Sequence, residues 1–133
     1  AWEKLSGEAK KYIAPLPIDY EPDEEAAGMF GLMMMTSGKH TDPENVAKAQ
    51  ALKDATMGWF IAQNLKSKFV HLNGNYHSDF KKGIITYLNK YRPGLKIATV
   101  CSVRQDDIKK LGEENEGRAD FYICVPTDMT MTY

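Results

Sequence analysis

The chain has 133 residues, 43% hydrophobic and 26% charged, a composition typical of one soluble globular domain or part of a larger one. Its 17 Lys and Arg residues nearly balance 18 Asp and Glu residues, for a formal net charge of -1, so no basic surface is expected for nucleic acid or an anionic membrane. No apolar run approaches the ~20 residues of a transmembrane helix, and the first residues lack the pattern of a signal peptide.

The N-terminal third is predicted to be mainly helical. Apolar residues at helical spacing predict a helix over residues 2–13, which Pro15 and Pro17 end in an extended connector over residues 14–20. Acidic residues in a first turn predict a second helix over residues 23–35. Its methionine-rich end either lines an adaptable apolar pocket or, more commonly, forms a plain helix core.

The clearest helical pattern begins after Thr41 or Asp42, either of which can cap the helix, and continues to about residue 65. Gln50 and Asp54 lie four residues apart and so share one helix face. They are interpreted either as an exposed or internally paired couple, or as a pair that orients a bound group or a site histidine. The expected apolar stripe consists of Val46, Ala49, Met57, Phe60 and Ile61.

Strands and helices alternate in the second half of the chain. The order is strand, helix, strand, short helix and strand, over residues 69–72, 78–91, 95–103, 105–114 and 119–125. This order predicts an α/β fold, a mostly parallel sheet flanked by helices and joined by right-handed crossovers. Because a parallel sheet needs both faces covered, residues 1–133 are interpreted as the C-terminal part of one α/β domain. An N-terminal half or a second chain, for example in a homodimer, is expected to complete it.

The most informative segment follows the first predicted strand, where ligands bind in open parallel sheets. Asn73 and Gly74 open a turn that ends at Tyr76 and His77. Gly74 would permit a backbone angle closed to other residues, and the start of the next helix would keep His77 neutral, able to bind a metal or act as a base. The alternative is a plain strand-to-helix turn whose histidine caps the helix. His71, inside the strand, is expected to pack internally.

Two arginines and two cysteines carry further expectations. Arg104 follows the second predicted strand at the same sheet edge as His77, where it either pairs with a carboxylate or is an ordinary surface arginine. Arg118 is expected at the opposite edge. Cys101 and Cys124 fall in predicted strands and are expected to be free thiols rather than a disulfide or a zinc site.

Two stretches resemble one known family. Residues 49–57, Ala-Gln-Ala-Leu-Lys-Asp-Ala-Thr-Met, are similar to the Ala-Gln-x-x-(Arg/Lys)-Asp-x-x-Met helix of ChaN-like proteins. Residues 71–77, followed by Gly83-Ile84 and Tyr87-Leu88, resemble that family's Gly-x-x-His segment and the helix after it. The resemblance covers roughly residues 43–125. It extends to a superfamily with Tiki-type metalloproteases and erythromycin-esterase-like enzymes, which characteristically has two such histidine motifs where this chain has one.

The resemblance implies a haem- or iron-binding lipoprotein of the bacterial envelope, lipid-anchored in its full-length form, that serves haem or iron acquisition. Tyr76 or His77 would be the iron ligand, Gln50 and Asp54 would support it, and Arg104 would pair with a haem propionate. One alternative is a metal-dependent hydrolase in which His77 binds a divalent metal together with other ligands. The other is a non-catalytic dimerisation module, so enzymatic activity stays open.

Overall fold

The structure, a computed structural model, describes residues 4–20 and 42–130. The chain divides into two compact units, Ala1–Leu65 and Lys66–Tyr133. Each unit has its own helices and its own buried residues. The predicted helix over residues 23–35 and its methionine-rich end lie outside the described residues.

The first unit begins with turns where apolar spacing predicts an α-helix. Its described residues from 4 onward form bends and turns, followed by a 3-10 helix over Ala9–Tyr12. The Ser6 hydroxyl accepts a hydrogen bond from the Ala9 backbone amide at 3.1 Å. This is the bond of a helix cap, so a short helical turn starts at Ser6 and no α-helix runs through these residues. The α-helical prediction is therefore wrong for the described residues, whereas the connector over residues 14–20 contains no helix, as expected.

Helix α1, Pro43–Asn64, confirms the main helical prediction of this unit. Asp42 is its cap, because Oδ1 of Asp42 accepts a hydrogen bond from the Glu44 backbone amide at 3.0 Å. Thr41 lies outside the described residues. A capping carboxylate satisfies one amide of the first helical turn and lies at the positive end of the helix dipole.

The buried face of α1 differs from the predicted apolar stripe. Val46 and Ile61 are buried as expected, but Phe60 is 39% exposed. The face runs instead through residues of small volume and one carboxylate, namely Ala51, Asp54, Ala55, Gly58 and Ala62. Small side chains let other parts of a chain approach a helix closely, and the Ala14 backbone amide donates to the Thr56 hydroxyl at 3.1 Å.

The second unit contains a helix followed by a parallel sheet. Helix α2 spans Ile84–Tyr91, and its buried residues Ile84, Tyr87 and Leu88 have the spacing of one helix face. Strand β1 spans Val100–Gln105 and strand β2 spans Phe121–Pro126. The strands are parallel, with Val100 opposite Phe121. Within the described residues, helices that precede a two-stranded parallel sheet confirm the α/β class.

The expected strand over residues 69–72 is not present. These residues form no ladder, and the Val70 and Leu72 side chains are 83% and 89% exposed. The apolar, β-branched sequence suits a strand, but β propensity expresses packing against neighbours rather than a backbone preference. No strand pairs with this segment in the described part of the chain. Of the three predicted strands, the two later ones are therefore present, whereas the first is not.

The expected helix over residues 105–114 is also absent. Strand β1 continues to Gln105, and the buried side chain of that residue organises the following loop. Its Nε2 donates to the carbonyls of Asp107 and Lys110, while its Oε1 accepts from the Gly112 backbone amide at 3.2 Å. These bonds satisfy backbone groups that helical hydrogen bonds would otherwise satisfy. A 3-10 turn over Glu113–Asn115 ends the loop.

Candidate functional site

The predicted site turn exists, but its geometry differs in two respects from the expectation. Asn75–His77 forms a 3-10 turn, and His77 ends it well before α2 begins at Ile84. The N-terminus of a helix therefore gives no reason to expect a neutral imidazole here. Gly74 has φ -67° and ψ 142°, angles open to any residue, so the expectation of a special backbone angle is wrong.

Two asparagine side chains hold the turn. Nδ2 of Asn73 donates to the Gly74 carbonyl at 2.8 Å and to the Ser78 hydroxyl at 3.0 Å. Nδ2 of Asn75 donates to the Ser102 carbonyl of β1 at 2.7 Å. The turn is thus closed locally by one amide and attached to the sheet by the other, so its position follows that of β1.

Tyr76 and His77 present two metal-binding groups side by side. Their ring centroids lie 5.7 Å apart at an interplanar angle of 79°, an edge-to-face arrangement. Both side chains are half-buried, so both are packed yet accessible. A phenol and an imidazole are two of the groups that bind haem iron in proteins.

His71 belongs to the same group of side chains. Partial desolvation lowers the pKa of His71, and the nearby charge of His77 lowers that pKa further. The expectation that His71 packs internally in a strand is wrong, because the residue is exposed and belongs to no strand. In the sequence, the position of His71 just before the turn was the feature that could have linked it to Tyr76 and His77.

An ion pair that sequence reasoning missed anchors the segment after the turn. Nε and Nη2 of Arg118 donate to Oδ2 of Asp79 at 3.0 and 2.6 Å. Both side chains are largely buried, and the Asp79 hydrogen bond raises the pKa of Arg118. Arg118 was expected at the sheet edge opposite to His77, but it holds the residue two places beyond His77. Nothing in the sequence marks this pair, because its members are 39 residues apart.

The thiols play no part in chemistry at the turn. Both cysteines are free, which confirms the sequence expectation. Cys101 is 2% exposed, and its Sγ lies 3.5 Å from Oδ1 of Asp79. Burial and the neighbouring carboxylate raise the pKa of the Cys101 thiol, so it stays protonated and unreactive at neutral pH.

Arg104 lies on the exposed face of β1 and contacts the segment after β2. Its Nη2 donates to the Thr127 carbonyl and, at 3.4 Å, to the Met129 carbonyl. The guanidinium carries five N–H donors, so these bonds are compatible with a further carboxylate. Pairing of Arg104 with a ligand remains a prediction.

Gln50 and Asp54 both face the interior of the first unit. Asp54 is 5% exposed, which contradicts an exposed pair. Among the described residues, the buried Oε1 atom of Gln50 has no hydrogen-bond partner. A buried acceptor without a donor is costly.

The described residues give no independent support for a protein-built metal centre. Within residues 4–20 and 42–130, no group of three or more His, Cys, Asp or Glu side chains could hold a metal ion. No helix in the same ranges is long and apolar enough to cross a membrane.

Fold and turn together define an α/β protein with an accessible phenol–imidazole pair beside a parallel sheet. Residues 1–88 match the family described as haem-binding uptake, Tiki superfamily, ChaN. Because this match covers more than half of the chain, the chain belongs to this ChaN-like haem-binding family. This match starts and ends earlier in the chain than the resemblance, which covers residues 43–125. The match nevertheless includes both motifs on which the resemblance is based, residues 49–57 and 71–77. No curated protein and no solved structure matches the chain.

Proposed function

We propose that the chain binds haem at the turn of residues 73–77 and serves haem or iron acquisition, without enzymatic activity of its own. The observation that carries this proposal is the pairing of Tyr76 and His77, 5.7 Å apart between ring centroids, in a chain of a haem-binding family. The surroundings of Gly74 are open, since a Cβ there would meet no described atom within 4 Å.

The donor chemistry of the turn fits haem. Haem brings an iron that accepts axial ligands, a large apolar ring and two carboxylates, and proteins bind it with an axial side chain and an apolar surround. Either the Tyr76 oxygen or a His77 nitrogen is suited to the axial position, with the other ring packed against it. Asn73 and Asn75 restrict the movement of both rings, because the Asn73 amide closes the turn onto Ser78 and the Asn75 amide attaches it to β1.

The remaining predicted residues have supporting roles in this proposal. Arg104 pairs with a propionate, since a guanidinium matches a carboxylate geometrically. For Gln50 and Asp54 we propose a hydrogen-bonding role within the first unit, supported by the buried Oε1 of Gln50, which has no hydrogen-bond partner among the described residues.

The proposal includes a partner and a location. The sheet side chains Val100 and Phe121, opposite each other in register, are 57% and 62% exposed. Parallel sheets are covered on both faces, so another chain segment or a second subunit is suited to cover them. We place the protein in the bacterial envelope, carried by a lipid anchor, because haem uptake takes place there.

Titration of the intact protein with haemin tests the proposal. We expect a shifted and sharpened Soret band that saturates, and an apparent affinity at least about tenfold weaker in Tyr76→Phe or in His77→Ala, whichever removes the iron ligand. Tyr12→Phe is the matched control, because Tyr12 is 69% exposed in the other unit. Equal titration curves for the wild type and both turn variants would remove the proposal.

A further inference from the structure

Phe80 has a backbone conformation that its own side chain disfavours. Its φ and ψ are 56° and 21°, and Lys81 follows with a φ of 56°. Residues with a bulky side chain rarely occupy this left-handed region, because Cβ crowds the following carbonyl. Two such residues in succession store strain immediately after the site turn.

Hydrogen bonds at three successive residues hold this strained segment. The Phe80 backbone amide donates to the Arg118 carbonyl at 2.8 Å. On one side, Asp79 receives the two bonds from the Arg118 guanidinium. On the other, Nζ of Lys81 lies 2.7 Å from Oδ1 of Asp120. The loop before β2 therefore imposes the conformation, which the local sequence alone would not choose.

Burial of the Phe80 ring does not offset the strain. The side chain is 55% exposed, whereas a phenylalanine stabilises a fold by removing its ring from water. Strained residues that persist because their surroundings hold them are concentrated at ligand sites. An exposed ring at a strained position is therefore better explained by contact with a ligand than by a role in folding.

The position of Phe80 in the chain places it near the proposed iron ligand. It follows His77 by three residues, so their Cα atoms are at most about 11 Å apart. Turns on both sides shorten that distance, with the Ser78 amide bonded to the Asn75 carbonyl at 2.9 Å and the Lys81 amide bonded to the Ser78 carbonyl at 3.2 Å. A porphyrin bound at the turn is large enough to reach this ring.

We propose that Phe80 is a haem-contacting residue whose ring packs against the porphyrin held by the turn; this rests on the proposed function above. The strained backbone directs the ring outward for that contact. The chemistry recognised is a large, flat, apolar ring, and the contact contributes dispersion and removal of apolar surface from water on both partners.

The test compares Phe80→Gly and Phe80→Asn with the wild type. Both residues accept a positive φ, so each removes the ring while relieving the strain. We expect the haemin dissociation constant to rise about tenfold in both, while the thermal midpoint without haemin is equal or higher. Ile108→Ala is the matched control, because Ile108 is a similarly exposed apolar residue, at 50%, in the loop after β1.

Each contrary result has a distinct meaning. Unchanged haemin affinity in both Phe80 variants, with a wild-type Soret shift that depends on Tyr76 or His77, would overturn the role of Phe80 and leave the proposed function intact. A lower thermal midpoint in both variants would assign Phe80 to packing and also overturn the inference. No Soret shift in the wild type would remove the proposed function and this inference together.

Discussion

Single side chains, rather than a backbone ladder, fix the site turn. Asn75 attaches it to β1 and Asn73 closes it. The sequence alone proposes Tyr76 and His77 as a pair, because they are neighbours in one contiguous motif and need no tertiary information. It could not predict the pairing of Asp79 with Arg118, which depends on where the loop before β2 folds back.

Gly74 is expected to tolerate a side chain. Its φ of -67° suits any residue and a Cβ would meet nothing within 4 Å, so Gly74→Ala should raise the free energy of unfolding by about 0.5 kcal/mol through reduced freedom of the unfolded chain. Urea unfolding followed by circular dichroism measures this. A loss of more than about 1 kcal/mol would mean that the turn needs glycine for folding.

Arg118 is expected to be important for stability. Arg118→Ala leaves the largely buried Asp79 carboxylate without its charged donor, which should cost about 2 kcal/mol of unfolding free energy. Arg118→Lys keeps the charge but loses the two-pronged geometry, and it should fall between alanine and wild type. Chemical denaturation of the three proteins compares them. Equal stabilities would show that the ion pair contributes nothing net.

The pKa of Asp120 predicts an acid-dependent loss of stability. Hydrogen bonds from Lys81 first, and then from the backbone and hydroxyl of Thr99, hold that pKa at about 2, below the ordinary value of 3.8. Because the folded-state pKa is the lower one, ionised Asp120 stabilises the fold above about pH 4, and this contribution disappears as the pH falls towards about 2.

Asp120→Asn isolates this effect. The difference in unfolding free energy between wild type and Asp120→Asn should be constant above about pH 5 and should shrink steadily below about pH 4. Urea titrations at a series of pH values measure that difference. A difference that stays the same down to about pH 2.5 would show that Asp120 is not paired in solution.

At the scale of elements, α1 depends on its cap. Asp42→Ala removes the acceptor for the Glu44 amide and should lower the unfolding free energy by about 1 kcal/mol. Asp42→Ser supplies another capping oxygen and is the matched control, expected to stay within a few tenths of a kcal/mol of wild type. Denaturant unfolding followed by helical ellipticity measures the stability of both variants. Equal losses of unfolding free energy in the two variants would contradict a capping role.

Helix ends with a cap or a proline nearby were predicted well, but the start of α2, expected at residue 78, lies at Ile84. Elements that depend on distant partners were not predicted. The cap and proline of α1 lie within its first turn, and α2 ends near Pro93 and Gly94, whose φ is 84°. Residues 69–72 have strand composition but no pairing partner in the described residues. Residues 106–114 follow Gln105, whose side chain bonds their backbone, an arrangement that periodicity does not encode.

At the scale of the whole molecule, family and fold class come from the sequence, while the site is assembled in three dimensions. Motifs in residues 49–57 and 71–77 pointed to the family that the match over residues 1–88 shows. The motif predicted the pair Tyr76 and His77. The strained, exposed Phe80 appears only in the structure, because a backbone angle imposed by another loop leaves no trace in local sequence.

Paramagnetic broadening of backbone amide signals tests the central claim most directly. Ferric haemin is compared with gallium protoporphyrin, which has the same ring and no unpaired electrons, so the difference reports distance from the iron. We expect the amides of residues 73–81 to broaden first and most strongly. Broadening centred on another part of the chain, such as the loop over residues 106–112, would contradict it.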